Sequence, residues 1–291
     1  MRSLICITTC NRVGAIRAIV WDYINFCIDN DQFDFLISAD GEDLATIAFS
    51  KKHKIPILYS RKREGVGLSK NRVLEAYPDY RYYFFIEDDV ILRNPNVFNI
   101  HIKISEESGI PHFSLFKRDR IIGQEAVSRI GQFDILHARY GGAPFNLFSR
   151  EGIDVVGGFD ISFAKVCRFG HTEHSYRFVN AGLCKYPFNI IDQCIEGYME
   201  WTEPGTVTKI KVEKTVNRLY TGEAALIAKK NKWQPIKTLS EYLIPESLSL
   251  DGVRKMALPG LYKSVYMARV RLMDILRGIR KVAKARLKLN S

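Results

Sequence analysis

Residues 82–92, YYFFIEDDVIL, place three consecutive carboxylates, Glu87, Asp88 and Asp89, at the end of an apolar run that reads as the buried centre of a sheet. Adjacent like charges repel, and a turn needs only one acid to cap it. The cluster is therefore either a solvated turn or a site whose charge a cation neutralises. Short acidic side chains offer oxygen ligands suited to hard divalent ions such as Mg²⁺ or Mn²⁺, which are held by one or two carboxylates together with substrate phosphates. The stretch leads to the expectation of a metal and a phosphorylated ligand at a strand end.

Upstream, the chain repeats the same alternation. SLICIT (3–8), FDFLIS (33–38) and IPILYS (55–60) are short apolar runs, and YYFFIE is a fourth. Between them Val13, Ile16, Val20, Ile24 and Cys27 recur at helical spacing, DLATIAFSKKHK is helix-like, and GLSKNRVLEAYP is a third helix ended by Pro78. Strands that do not alternate in polarity, separated by helices, predict a mostly parallel α/β sheet covered on both faces. Such sheets bind ligands at the carboxyl ends of their strands. Those ends carry Thr8 to Arg12, Ala39-Asp40-Gly41, Ser60 to Arg63 and the acidic triplet.

Downstream the pattern loosens. HFSLFK (112–117) and YPFNIID (186–192) predict strands, 138–160 a glycine-punctuated loop plus a short helix, and HTEHSYRFVNAGL (171–183) a helix ending near Gly182. The turn-rich WTEPGT (201–206) sets the expected division: a main domain over 1–205, an extension over 206–255 and a tail over 256–291. GVG in EGVGLSKN lacks the full GxGxxG spacing and follows no first strand, so it is not read as a dinucleotide site.

Composition sets the limits. The 291 residues are 46% hydrophobic, as in globular proteins, and no run approaches the roughly 20 apolar residues of a membrane span. The N-terminal apolar stretch is too short for a signal peptide, and the six cysteines form no CxxC pair, so a cytoplasmic location is expected. Most of the net charge of +11 lies in the tail, where Arg269, Arg271, Arg277, Arg280, Lys281 and Lys284 alternate with Leu272, Ile275, Ile279 and Val282. This pattern predicts a basic amphipathic helix. It suits an anionic membrane surface first, a partner helix second and nucleic acid last.

In order along the chain, ITTCNR, SADGED, REGVGLSKNR, FFIEDDV, VGGFD and RFGHTEHSYR resemble the nucleotide-sugar glycosyltransferases of the A-type fold, specifically the inverting family 2. The resemblance spans residues 3–177. It implies a single A-type domain with a C-terminal helical extension, Mn²⁺ or Mg²⁺ as cofactor, and a nucleotide-sugar donor, with a UDP-sugar expected. The acceptor would be a hydroxyl of a surface glycan or lipid-linked precursor at the inner face of the cell membrane. No nucleic acid partner is expected.

Residue by residue, the resemblance gives Asp89, with Glu87, the metal; Glu87 or Asp88 the ribose or a metal-bound water; Asp40, beside Gly41, the nucleobase; and Thr8, Thr9 and Arg12 the base and diphosphate. Lys70 and Asn71 fall near the nucleotide, although a surface helix lysine is the plain alternative for Lys70. Gly158 and Asp160 lie by the donor sugar and acceptor. The usual Glu-Asp pair is missing from RFGHTEHSYRF. Glu173 is the first choice of base, with His171 or His174 as base or extra metal ligand. Two rival readings are a nucleotidyltransferase on a similar sheet and a catalytically degenerate binding protein.

Overall fold

The structure, a computed structural model, describes residues 2–163, 169–201, 231–253 and 268. The four expected strands are β1 (Ser3–Thr9), β2 (Phe33–Ala39), β3 (Ile57–Ser60) and β4 (Tyr82–Glu87), joined by α1 (Val13–Asp29), α2 (Leu44–His53) and α3 (Val66–Ala76). All four are parallel, in the order β3-β2-β1-β4. Alternate side chains enter two cores. Ile5, Ile7, Phe35, Ile37, Phe84 and Ile86 face one core, with Ile16, Ile19, Val20 and Tyr23 of α1. Leu4, Cys6, Leu36, Tyr83 and Phe85 face the other, with Val73 and Leu74 of α3. Burial on both faces is why these strands read as unbroken apolar runs.

After β4 come β5 (Val90–Leu92), α4 (Asn96–Ser108), β6 (His112–Leu115), β7 (Ile122–Ile130), β8 (Phe133–Tyr140), β9 (Phe145–Ser149), α5 (Arg150–Val156), α6 (Gly170–Asn180), β10 (Phe188–Ile191), β11 (Met199–Trp201) and β12 (Tyr242–Leu243). The glycine-punctuated loop expected at the start of 138–160 is instead interrupted by strand, the end of β8 and the whole of β9. β8 pairs with β7 in a hairpin, and β9 enters the main sheet between β4 and β6, antiparallel to both. Five consecutive buried residues, FNLFS, form β9, a run too short to declare itself beside the glycines. β7 gave no signal because nearly all its residues are exposed. The short helix expected at the end of this stretch is α5.

β12 extends the sheet at its other edge, antiparallel to β3, so the segment from residue 231 packs on the main sheet. The expected basic tail, including Arg269, Arg271, Arg277, Arg280, Lys281 and Lys284, lies outside the described residues. No described helix is long and apolar enough to cross a membrane.

The apolar layer also encloses ionisable rings. His101 on α4 is fully buried between Phe113 and Phe145, and burial lowers its pKa to about 4. A neutral histidine with a depressed folded pKa contributes stability above its unfolded pKa, about 6.5, and loses it as pH falls toward 4. His101→Phe should therefore flatten the acid limb of stability. Between pH 6 and 4.5 the wild-type unfolding free energy should fall by about 1–2 kcal/mol more than the variant's, as read by urea titration.

Candidate active site

Strand register brings the expected ends into line: Thr8 lies opposite Ser38 and Glu87, Thr9 opposite Ala39, and Ala39 opposite Tyr59. The acidic triplet divides its labour at once. Asp88 is buried and turned back into the protein, its Oδ2 accepting from Thr9 Oγ1 at 2.6 Å and its Oδ1 from Arg12 at 2.5 Å. Its pKa still rises to about 7, because burial outweighs those two partners. Thr9, Arg12 and Asp88 thus build the turn, and the ribose role expected of Asp88 does not fit a carboxylate already occupied on both oxygens.

Glu87 and Asp89 flank Asp88. Burial raises both carboxyls, Glu87 to about 7 with Asp89 adding to the rise, while Lys70 pulls Glu87 down and Arg12 pulls Asp89 down. Arg12 stands 4.0 Å from Asp89. Among the described residues no cluster of three or more His, Cys, Asp or Glu forms a ready-made metal cage. Mg²⁺ and Mn²⁺ need no such cage when phosphate oxygens complete the shell, and two carboxylates raised by burial gain from added positive charge. The pair fits a divalent ion.

Several residues expected at the nucleotide are taken up by the framework. Thr8 Oγ1 donates to Ile86 O at 3.3 Å, tying β1 to β4. Asp40 accepts from the amides of Glu64 and Gly65 at 2.9 and 2.6 Å and from buried Arg72 at 2.9 Å, and Arg72 also grips Glu64 at 2.6 Å. Asp40 therefore shapes the loop leading into α3 and has no free face for a nucleobase. Gly41, at φ +93°, packs against the Arg63 backbone, where a Cβ would stand 3.3 Å from the amide nitrogen. Asn71 is fully buried, bonded to both the amide and the carbonyl of Phe159 and to Lys237 O.

A cavity of about 290 Å³ opens beside the acidic turn, lined by Lys70, Glu87, Phe159, Asp160, Phe163 and His171 among others. Lys70 is no surface lysine. Its side chain is buried, with Nζ 5.7 Å from the Phe85 ring and 5.2 Å from the Phe159 ring, and burial lowers its pKa to about 8 against the opposing pull of Glu87. The neighbouring His171 is held neutral, its pKa lowered to about 4 by burial and then by the Lys70 charge.

Glu173 does not line this cavity. It is fully buried one helical turn from Arg177, with Oε2 accepting from Nη2 at 2.9 Å and Oε1 2.8 Å from Nε. The guanidinium in turn donates to Val156 O and Gly158 O at 2.5 and 2.6 Å. The carboxylate chosen from sequence as the base is enclosed, and what it does is orient Arg177 on the Gly157–Asp160 turn. Gly158 also serves the framework: a Cβ there would stand 2.7 Å from Asn71 Oδ1 and 2.8 Å from Ile236 Cα. His174, the other alternative, is buried with Nε2 2.9 Å from Gly157 O. The aromatic wall was missed: Phe163 stands in no motif, and Phe159 and Phe169 lie inside GGFD and RFGHTEHSYR, where the polar residues carry the signal.

No protein-family model matches the sequence, and neither does any curated protein. Solved structures do match in shape. The S. aureus TarS 1–349 fragment superimposes with a TM-score of 0.50 at 12% identity, over 70% of this chain and 61% of that one. The chain has the A-type glycosyltransferase fold. The mannosyltransferase PcManGT from Pyrobaculum calidifontis, solved with GDP-Man and Mn²⁺, gives a TM-score of 0.48 at 13% identity, over 68% and 58% of the two chains. The chain thus spans about three fifths of the length of these structures.

Within this A-type fold the Glu173–Arg177 pair is a matter of stability. Glu173→Gln should leave Arg177 uncompensated and lower the unfolding free energy by about 3 kcal/mol, measured by denaturant titration.

Proposed function

We propose that the protein is an inverting glycosyltransferase that moves a sugar from a nucleotide-sugar donor to a hydroxyl group. The observation that carries this reading is the acidic turn itself. Asp88 is tied back, while Glu87 lines a cavity that also holds a buried lysine, and Asp89 stands two residues on, 4.0 Å from Arg12. A nucleoside diphosphate leaves with developing negative charge, and the chemistry needs positive charge at that point. Glu87 and Asp89 would hold a divalent ion, which when bound supplies Lewis-acid stabilisation of the departing diphosphate. Lys70 adds a second, permanently placed charge on the sugar side, and Arg12 stands on the other.

The sugar itself would occupy the cavity, against Phe159 and Phe163. An acceptor hydroxyl becomes an adequate nucleophile only as its proton is removed. With Glu173 enclosed and Glu87 assigned to the metal, the cavity wall offers two further proton acceptors, His171 and Asp160. The A-type fold supports the donor class. The sequence resemblance supports inversion, a UDP-sugar, and an acceptor on a surface glycan or lipid-linked precursor approached through the basic tail at the inner membrane face.

Calorimetric titration of UDP, GDP and dTDP, with and without Mn²⁺, tests the reading. Wild type should bind one of them in a manganese-dependent way, and Asp89→Ala should weaken that binding on the order of 100-fold. Equal affinity with and without the ion, or in the variant, would refute the assignment of the turn.

A further inference from the structure

The Gly157–Asp160 turn is fixed more completely than packing demands. Four consecutive carbonyls each meet a buried side chain. Arg177 donates to Val156 O and Gly158 O, His174 Nε2 lies 2.9 Å from Gly157 O, and Asn71 Nδ2 donates to Phe159 O at 2.8 Å. Two amides are held as well: Phe159 N by Asn71 Oδ1 at 2.7 Å, and Gly158 N by Gln234 O at 3.0 Å. The partners come from α3, α6 and the segment after residue 231, three regions far apart in sequence. Gly157 adopts φ +74°, and a Cβ there would fall 1.6 Å from Gln234 O. The Phe159 ring is gripped as well, stacked on His174 at a centroid distance of 4.2 Å with the Lys70 ammonium 5.2 Å from it.

The first side chain beyond those fixed carbonyls is Asp160, in the cavity wall. Its Oδ1 accepts from Ser162 N at 2.8 Å, which orients the carboxylate. Buried donors placed on successive carbonyls define the position of a backbone to a fraction of an ångström, and that is what a group in contact with reacting atoms requires.

We propose that Asp160 is the proton acceptor of the transfer step, and that Asn71, His174, Arg177 and the 231–237 segment position it. The assignment rests on the glycosyl-transfer reading. As the acceptor oxygen bonds to the anomeric carbon, its proton passes to the Asp160 carboxylate. The bond from the anomeric carbon to the diphosphate oxygen breaks, and its electron pair leaves with the nucleoside diphosphate. At His171 the same proton would create a second cation in a buried wall that already holds Lys70, whereas at Asp160 it cancels a charge. The charged groups around Asp160 are Glu173 and Arg177 behind the turn and Lys70 and Glu87 across the cavity, with neutral His171 between.

Manganese-dependent hydrolysis of UDP-glucose, UDP-N-acetylglucosamine and GDP-mannose, with water as acceptor, provides a test that needs no identified glycan. Asp160→Asn should lower nucleoside diphosphate release about 100-fold or more while UDP or GDP affinity stays within threefold of wild type. Sodium azide attacks without losing a proton, so it should restore release in Asp160→Ala and yield the glycosyl azide. Arg177→Lys, which keeps the charge but cannot span two carbonyls, should lower kcat about tenfold at unchanged donor KM. Retention of the wild-type rate by Asp160→Asn, or azide rescue of His171→Gln in its place, would overturn the assignment. A wild-type protein that binds nucleotide with manganese but hydrolyses none of the three donors would overturn it too. If wild type binds no nucleotide at all, the transfer reading falls, and the assignment with it.

Discussion

Three adjacent carboxyls survive at a buried strand end because one of them faces inward. The contacts from Thr9 and Arg12 to Asp88 join the end of β1 to the end of β4 through charge-assisted hydrogen bonds, which are worth roughly 1.5–3 kcal/mol each. With Asp88 so anchored, its neighbours on either side are displayed in separate directions: Glu87 into the cavity beside Lys70, Asp89 toward Arg12. The same pattern of a carboxylate used as a tie recurs at Asp40. There a carboxylate fixes two loop amides and Arg72, and so sets where α3 begins and where Lys70 points.

Much of the fold was legible because burial on both faces writes itself into the sequence as uninterrupted apolar runs. β1 to β4 and the helices between them could be read that way, and so could their polar ends. β9 could not. It is an antiparallel intruder of five residues between glycines and a helix, and its place between β4 and β6 depends on partners more than 25 residues away. β7 could not either, because an exposed strand has no apolar period to read.

At the site, the motifs fall on the turns around the cavity, but motif position does not say which way each side chain faces. HTEHSYR stands out in the sequence, but sequence spacing cannot distinguish a carboxylate that faces a cavity from one that faces an arginine one helical turn along. Glu173 and Arg177, four residues apart, are natural helix partners, and that local rule prevailed. His171, two residues earlier, lines the cavity instead. Asn71 and Asp40 follow the same logic. Polar residues near a ligand site are often there to hold other residues, and full burial with every hydrogen-bonding atom engaged is the mark of that role.

The β7–β8 hairpin has a consequence for how the molecule keeps to itself. Among the described residues β7 pairs with β8 alone, so one of its sides presents unpaired backbone along a mostly exposed strand that carries Ile122 and Val127. Such an edge is a template for adding strands from other chains. Several features work against that. The register breaks at Gln124–Ala126, Glu125 is ion-paired with Arg139, and Arg129 lies 3.0 Å from Asp134 on the facing strand. A broken register spoils the template, and charged side chains keep the ribbon wet. The β7 edge of the β10-β8-β7 sheet can thus stay open to solvent without serving as a template for its own copies.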